Sequence, residues 1–257
     1  MGEPWRKRVV IGDATLYLGD CRKVLHGLRD GRQNGDVSVE QGRGAGNDLK
    51  TRFLFDAVVT DPPYNVGKDY GTHNDSMTET DYAAWCSSIV ALCLDVAEKQ
   101  FWVAPRYKLP LWLSLLPDSH LIVIRRGAMG PFRGGWSDQF EIALATGRPD
   151  KCMPDLWDDI RLKGEGYFFR ENAYGHPGYT PYPIMERAVS LFAPSSLIDP
   201  FMGTGTSGEA AIKAGRQYTG IEIHEPYFDI AVERITNAQR QTKLFDDPKP
   251  KPEQLTI

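Results

Sequence analysis

The segment Phe53-Leu54-Phe55-Asp56-Ala57-Val58-Val59-Thr60 is almost continuously apolar and stops abruptly at Asp61-Pro62-Pro63. A run of this kind, without polar alternation, fits a strand buried on both faces of a parallel sheet, with helices packed against each side. Two successive prolines fix φ and remove two backbone donors, so the strand ends at Thr60. The loop that follows lies at a strand's carboxyl end.

Other segments continue the alternation. Val9-Val10-Ile11 and Thr15-Leu16-Tyr17-Leu18 flank Gly12-Asp13, the turn of a hairpin, and the second strand ends at Gly19-Asp20-Cys21. A short helix is expected over Arg22 to Leu28, and residues 30–50, rich in Gly, Asn and Asp without apolar period, read as a mobile loop. A helix over Asp81 to Glu98, a strand Gln100 to Ala104, a short helix Leu109 to Leu116 and a strand His120 to Ile124 read as βαβ units. A strand Phe140 to Ala145 precedes a loop-rich stretch. Then follow a helix Ile184 to Phe192, a strand Ser196 to Ile198, a helix Glu209 to Ala214, a strand Tyr218 to Ile223 and a helix Tyr227 to Ala238.

The chain has 257 residues, 41% hydrophobic and 25% charged, which fits one α/β domain with a small insert. It contains no apolar run of about 18 residues and begins without the apolar core of a secretory signal, so a soluble, cytoplasmic protein is expected, with no membrane partner. Cysteines 21, 86, 93 and 152 have no CxxC spacing, so reduced thiols are expected, with neither metal nor disulfide. A net charge of −4 argues against coating nucleic acid by bulk electrostatics, while leaving room for a local basic groove.

A second loop, Asp199-Pro200-Phe201-Met202-Gly203-Thr204-Gly205-Thr206-Ser207-Gly208, follows a short apolar strand and opens a helix. Gly203, Gly205 and Gly208 match GxGxxG, and Glu222 ends the next strand, where a carboxylate can accept hydrogen bonds from both ribose hydroxyls. The alternative is that these glycines only tighten a strand-to-helix turn. A dinucleotide dehydrogenase needs several strands after its glycine loop, whereas here the other strands come earlier. That order is a circularly permuted sheet and suits a ligand other than NAD.

The Asp61-Pro62-Pro63-Tyr64 loop is stiff and rich in acceptors. The exocyclic amine of a base is a poor nucleophile because its lone pair is delocalised. Acceptors at Asp61 and the Pro62 carbonyl can hold both amine hydrogens and favour a pyramidal nitrogen in the transition state. Tyr64 can stack on a base that has left the duplex. A sulfonium methyl donor is already activated, so positioning supplies most of the catalysis. No Pro-Cys dipeptide occurs, which removes the usual nucleophile for methylating a cytosine ring carbon. The alternative for Asp-Pro-Pro alone is a rigid turn capped by its aspartate.

DPPYNVG at 61–67 and DPFMGTGTSG at 199–208, in that order, resemble the β-class amino DNA methyltransferases, which modify adenine N6 or cytosine N4. The resemblance implies a circularly permuted Rossmann-like sheet with helices on both faces and S-adenosylmethionine as cofactor. It implies catalytic roles for Asp61, Pro62, Pro63 and Tyr64. Cofactor-binding roles fall to Asp199, Phe201, Gly203, Gly205, Thr206 and Glu222, and to Asp20 with Cys21 at the cofactor's adenine. His176-Pro177 through Pro183 is similar to the segment that closes over the methionine, with Tyr182 where the family usually has lysine.

The implied organisation is a catalytic half over 1–145, a target-recognition insert over 146–175, a cofactor-binding half over 176–240 and a tail over 241–257. So short an insert implies minimal or relaxed sequence specificity. Aspartate at position 61 is more similar to adenine-modifying members than to cytosine-N4 members. The leading expectation is methylation of adenine N6 in DNA, by a restriction–modification, phage or solitary enzyme. Cytosine N4, RNA adenine and a catalytically silent cofactor- or DNA-binding module are the alternatives, and a homodimer is allowed.

Arg125, Arg126, Arg133, Arg161, Lys163 and Arg170, with Tyr167 and Phe168 among them, have the composition of a DNA-lining groove. The alternative is an ordinary solvated surface, because residues 146–175 carry five Lys and Arg against six acids. Gln241-Thr242-Lys243-Leu244-Phe245 resembles the QxxLF peptides that dock on the replication sliding clamp. Packing of Leu244 and Phe245 on the body of the protein is the favoured alternative.

Overall fold

A computed structural model describes residues 3–33, 53–67, 76–125, 132–133, 136–137, 139–160 and 180–246. β1 (Lys7–Ile11) and β2 (Ala14–Leu18) form the expected antiparallel hairpin. α1 (Cys21–Gln33) follows, then β3 (Phe55–Thr60), α2 (Glu79–Val96) and β4 (Ala97–Ala104). A single 3-10 turn, Arg106–Lys108, leads into α3 (Leu109–Leu115) and β5 (His120–Arg125). The two-residue strands β6 (Phe132–Arg133) and β7 (Trp136–Ser137) pair with each other, and β8 (Phe140–Thr146) and β9 (Leu156–Trp157) return to the main sheet. The remaining elements are α4 (Tyr182–Phe192), β10 (Ser196–Asp199), α5 (Thr206–Lys213), β11 (Gln217–Glu222) and α6 (Glu225–Asp246).

Nine strands form one sheet in the order β1-β2-β11-β10-β3-β4-β8-β5-β9. From β2 to β4 the neighbours are parallel, and β3, with Ala57 to Val59 fully buried, lies in the middle as its apolar run requires. Alternate residues of each central strand feed two separate cores. Ala57, Val59, Phe101 and Val103 pack with α4, α5 and α6, while Val58, Trp102 and Ala104 pack with α1, α2 and α3. The order of the two loops in sequence thus has its counterpart in a permuted sheet, with β10 and β11 inserted between β2 and β3.

Several expected boundaries move. α1 runs past Leu28 to Gln33, its buried stripe of Val24, Leu25 and Leu28 continued by Arg29, which reaches Asp95 of α2 at 3.5 Å. Residues 30–33 are therefore helical rather than loop, and the rest of that expected loop, 34–50, lies outside the described residues. α2 begins two residues early because Thr78 caps it, accepting from the Asp81 amide at 3.1 Å. α6 extends beyond Ala238 to Asp246, so the start of the expected tail is helical. β4 and β5 are not neighbours in a simple βαβ unit, because β8 lies between them and runs antiparallel to both.

The described part of the 146–175 stretch is joined to the body. β9 extends the sheet beside β5, and the buried Trp157 ring stacks on Phe101 at 5.7 Å between centroids. No helix among the described residues is long and apolar enough to cross a membrane. Those residues contain no cluster of three metal-ligating side chains, and all four cysteines are free.

The start of α5 packs tightly. A β-carbon on Gly208 would lie 2.4 Å from Ile235 Cδ1 and 2.7 Å from a Tyr218 ring carbon. Gly208→Ala is therefore expected to destabilise the protein by about 1–3 kcal/mol and to lower Tm by roughly 3–8 °C in a thermal unfolding experiment. An unchanged Tm would contradict this packing.

Candidate active site

The carboxyl ends of β10, β3 and β11 converge on two buried carboxylates. Asp199, at the end of β10, accepts from the Thr60 hydroxyl at 2.6 Å, the Phe201 amide at 2.9 Å and the Ser207 hydroxyl at 2.5 Å. Ser207 in turn meets the Tyr218 hydroxyl at 2.9 Å. Burial, only partly offset by these donors, lifts the Asp199 pKa to about 6. Expected to bind cofactor, Asp199 is instead enclosed by protein and ties the end of β3 to the glycine loop.

Glu222 ends β11. Its two oxygens accept from the Gly203 amide at 3.0 Å and the His224 amide at 2.8 Å, and burial raises its pKa to about 7. A carboxylate has about four lone-pair sites, so these two amides leave capacity for further donors. Among the described residues it has no cationic partner. The loop backbone above it takes the left-handed conformation at Gly203 (φ 51°) and Gly205 (φ 84°). A β-carbon on Gly205 would meet Ala231 of α6 at 3.0 Å, so this glycine also serves helix packing. Thr206 likewise turns inward, accepting from Arg234 at 3.0 Å, while Arg234 binds Glu209 at 2.6 Å.

At the neighbouring strand end, the Gly19 amide donates to the Glu222 carbonyl at 2.8 Å, which brings Asp20 and Cys21 to the same rim. Asp20 accepts from the Arg22 amide at 2.9 Å and pairs with its guanidinium at 3.0 Å. Partial burial pushes its pKa up, but Arg22 more than offsets this and leaves the carboxyl below its ordinary value. Burial pushes the Cys21 thiol to about 12, so it is no nucleophile. Phe201 faces Trp85 of α2 at 5.5 Å between ring centroids, forming an aromatic wall on the α2 side.

Asp61 follows directly from Thr60, whose hydroxyl is bound to Asp199, so the two loops share an anchor. Thr180, 119 residues away, donates its hydroxyl to Asp61 Oδ2. Tyr64 is half-buried with its hydroxyl against the Asp61 carboxylate; burial first, and that negative charge second, raise its pKa well above the ordinary value. The Pro63 carbonyl accepts from the Tyr82 hydroxyl at 2.9 Å, and Asn65 (φ 56°) grips Met77 through both backbone groups at 2.9 and 2.7 Å. These bonds hold the loop against the start of α2 and leave the Pro62 carbonyl without a protein donor among the described residues.

Thr60, Tyr82 and Trp85 carry no motif that would single them out, and Ser207 and Thr180, though they lie within the glycine-loop motif and the 176–183 segment, had no role assigned from sequence. Arg125 is exposed at the end of β5. The side chains of Arg133, Leu244 and Phe245 and the whole of Arg126, Arg161, Lys163 and Arg170 lie outside the described residues, as does the 161–179 segment.

A DNA methylase family, grouping N6 and N4 enzymes, matches residues 148–233. The chain is 27% identical to the type II methyltransferase M.ScaI of Streptomyces caespitosus over 284 aligned positions, covering 91% of this chain and 84% of the relative. Together these matches support a DNA methyltransferase of the N6/N4 type. Its fold is shared with the M1.HpyAVI complex with S-adenosylmethionine (TM-score 0.59, 18% identity, 86% of this chain and 98% of that one). It is shared too with the cytosine-N4-specific PvuII DNA methyltransferase (TM-score 0.62, 12% identity, 92% and 95% covered). The methyltransferase is S-adenosylmethionine-dependent. The buried, cation-free Glu222 carboxylate, the left-handed glycine backbone and the Phe201–Trp85 wall fit that cofactor's ribose and adenine chemically.

Two outcomes are expected of this methyltransferase. Ionised Glu222 accepts two ribose hydroxyls better than the protonated form, and its pKa near 7 is raised. Its contribution to stability is thus present below its unfolded value and is lost as pH rises through about 7, while its capacity to bind hydroxyls grows over the same range. Cofactor affinity should tighten about tenfold from pH 6 to pH 8, and Glu222→Gln should remove that slope in titration calorimetry. A slope retained by the variant would sink this reading. Thr180→Val should lower kcat roughly tenfold with cofactor Kd within about twofold, and Thr180→Ser should restore most of the rate. Wild-type kcat in the valine variant would show the contact to be idle.

Proposed function

We propose that this DNA methyltransferase modifies the N6 amine of an adenine extruded from the duplex, with Asp61 and the Pro62 carbonyl as acceptors for the two amine hydrogens. The observation that carries it is the geometry of the loop. Asp61 is held by Thr180, the Pro63 carbonyl is occupied by Tyr82, and the Pro62 carbonyl stays available beside the carboxylate. Two hydroxyls on Asp61 leave lone pairs for an amine hydrogen. Fixed acceptors on both hydrogens draw the nitrogen lone pair out of conjugation, at no reorganisation cost during the reaction. The half-buried Tyr64 ring supports the extruded base.

S-adenosylmethionine supplies a methyl group on a sulfonium, a leaving group that needs no further activation. Glu222 holds its ribose, Phe201 and the Cys21 segment flank its adenine, and Asp199 fixes the loop on which it rests. Asp20 is a further contact once Arg22 shares its carboxylate. Aspartate rather than serine at position 61 supports adenine over cytosine. The region over 146–175 serves target recognition in this reading, with the exposed Arg125 at the DNA side. The clamp-docking peptide at Gln241, Leu244 and Phe245 gains no support from α6, which carries it as helix.

The test is methylation of plasmid DNA followed by mass spectrometry of the nucleosides. N6-methyladenine is expected, and N4-methylcytosine would reassign the target base. Asp61→Ala should lower kcat by at least about a hundredfold while cofactor Kd changes less than about twofold. An active Asp61→Ala enzyme would refute the acceptor mechanism.

A further inference from the structure

The 3-10 turn Arg106–Lys108 follows β4, the strand beside β3, and so lies next to the Asp61 loop. Its middle residue, Tyr107, is 52% exposed. Both flanks are pinned. On one side the Arg106 guanidinium sits over the Phe140 ring at 5.3 Å. On the other, Lys108 meets both Glu79 oxygens at 2.6 and 2.7 Å and lies over the Tyr82 ring at 5.0 Å. The Lys108 amide closes the turn on the Pro105 carbonyl at 2.9 Å.

Tyr82 gives this arrangement its meaning. Its hydroxyl holds the Pro63 carbonyl while its ring carries the Lys108 ammonium, so one side chain sets the spacing between the catalytic loop and the turn bearing Tyr107. Tyr107 is also near enough to Tyr64 to act on its ionisation. Phe140, 39% exposed, lies opposite the exposed Arg125 in the β5–β8 register, which extends the same rim with a second aromatic and a second guanidinium. A rigid exposed ring bordered by cations matches the chemistry of an unstacked base with its flanking phosphates.

We propose that Tyr107 is a substrate-positioning residue whose ring stacks on the extruded target base at the mouth of the Asp61 loop. The inference rests on the reading of the protein as a base-extruding DNA methyltransferase. The role belongs to the aromatic face and not to the hydroxyl, so phenylalanine preserves it and alanine does not.

The experiment uses the full chain with a duplex carrying its mapped methylation site. KM for DNA, kcat and cofactor Kd are measured for wild type, Tyr107→Phe and Tyr107→Ala. Fluorescence of 2-aminopurine at the target position, or of pyrrolocytosine if the target is cytosine, reports extrusion. Tyr107→Ala is expected to raise KM for DNA roughly ten- to a hundredfold and to reduce the fluorescence gain on binding, with cofactor Kd unchanged. Tyr107→Phe should match wild type in all four readouts. Wild-type KM and fluorescence in Tyr107→Ala overturn the inference while leaving the activity intact, as does a Tyr107→Phe variant no better than alanine. A wild-type enzyme that methylates DNA without extruding a base overturns it too. A wild-type enzyme that leaves DNA unmethylated overturns the activity and the inference together.

Discussion

The buried Asp199 carboxylate is the point through which the two functional loops are joined. It accepts from Thr60 at the end of β3, from the Phe201 amide in the glycine loop and from Ser207 at the start of α5, three elements far apart in sequence. Taking a carboxylate out of water is costly, and its pKa near 6 records that cost, which three donors only partly offset. The return is geometric. The residue after Thr60 is Asp61, so a shift of the glycine loop is transmitted to the Asp61 loop through a single hydroxyl.

Legibility in the sequence follows the range of the interactions involved. The Asp61-Pro62-Pro63-Tyr64 turn was readable because prolines and a buried apolar run act locally, and the structure has the loop at the end of β3 as expected. The hairpin around Gly12-Asp13 was readable for the same reason. The extension of α1 to Gln33 was not, since it depends on Arg29 meeting Asp95 across two helices. Nothing local announces that β8 returns antiparallel between β4 and β5, or that Trp157, in a stretch that looks loop-rich, stacks on Phe101. The glycine loop lies between these cases. Its motif marks the turn, but Gly205 and Gly208 owe their lack of a side chain at least as much to Ala231, Ile235 and Tyr218 as to any ligand.

Charge is arranged locally in a way that the net value of −4 conceals. Among the described residues, the two buried carboxylates Asp199 and Glu222 have neutral donors alone, while Arg106 lies over the Phe140 ring just past β4 and Arg125 is exposed at the end of β5. Neutral amide donors leave Glu222 ready to accept further hydrogen bonds, which a salt bridge would have suppressed. The cations lie on the side of the sheet where Asp61 emerges, where a phosphate backbone would have to approach.

Thr180 shows why a permuted order of motifs carries no penalty. Asp61 comes from the first half of the chain and Thr180 from the second, yet the hydroxyl of one rests on the carboxylate of the other. A parallel sheet delivers every strand's carboxyl end to one edge, whatever the order in which the strands are made. Catalytic geometry then depends on which strands are neighbours and not on which is first. β10 beside β3 satisfies that condition, and the contacts at Asp199 and Thr180 hold the two loops together there.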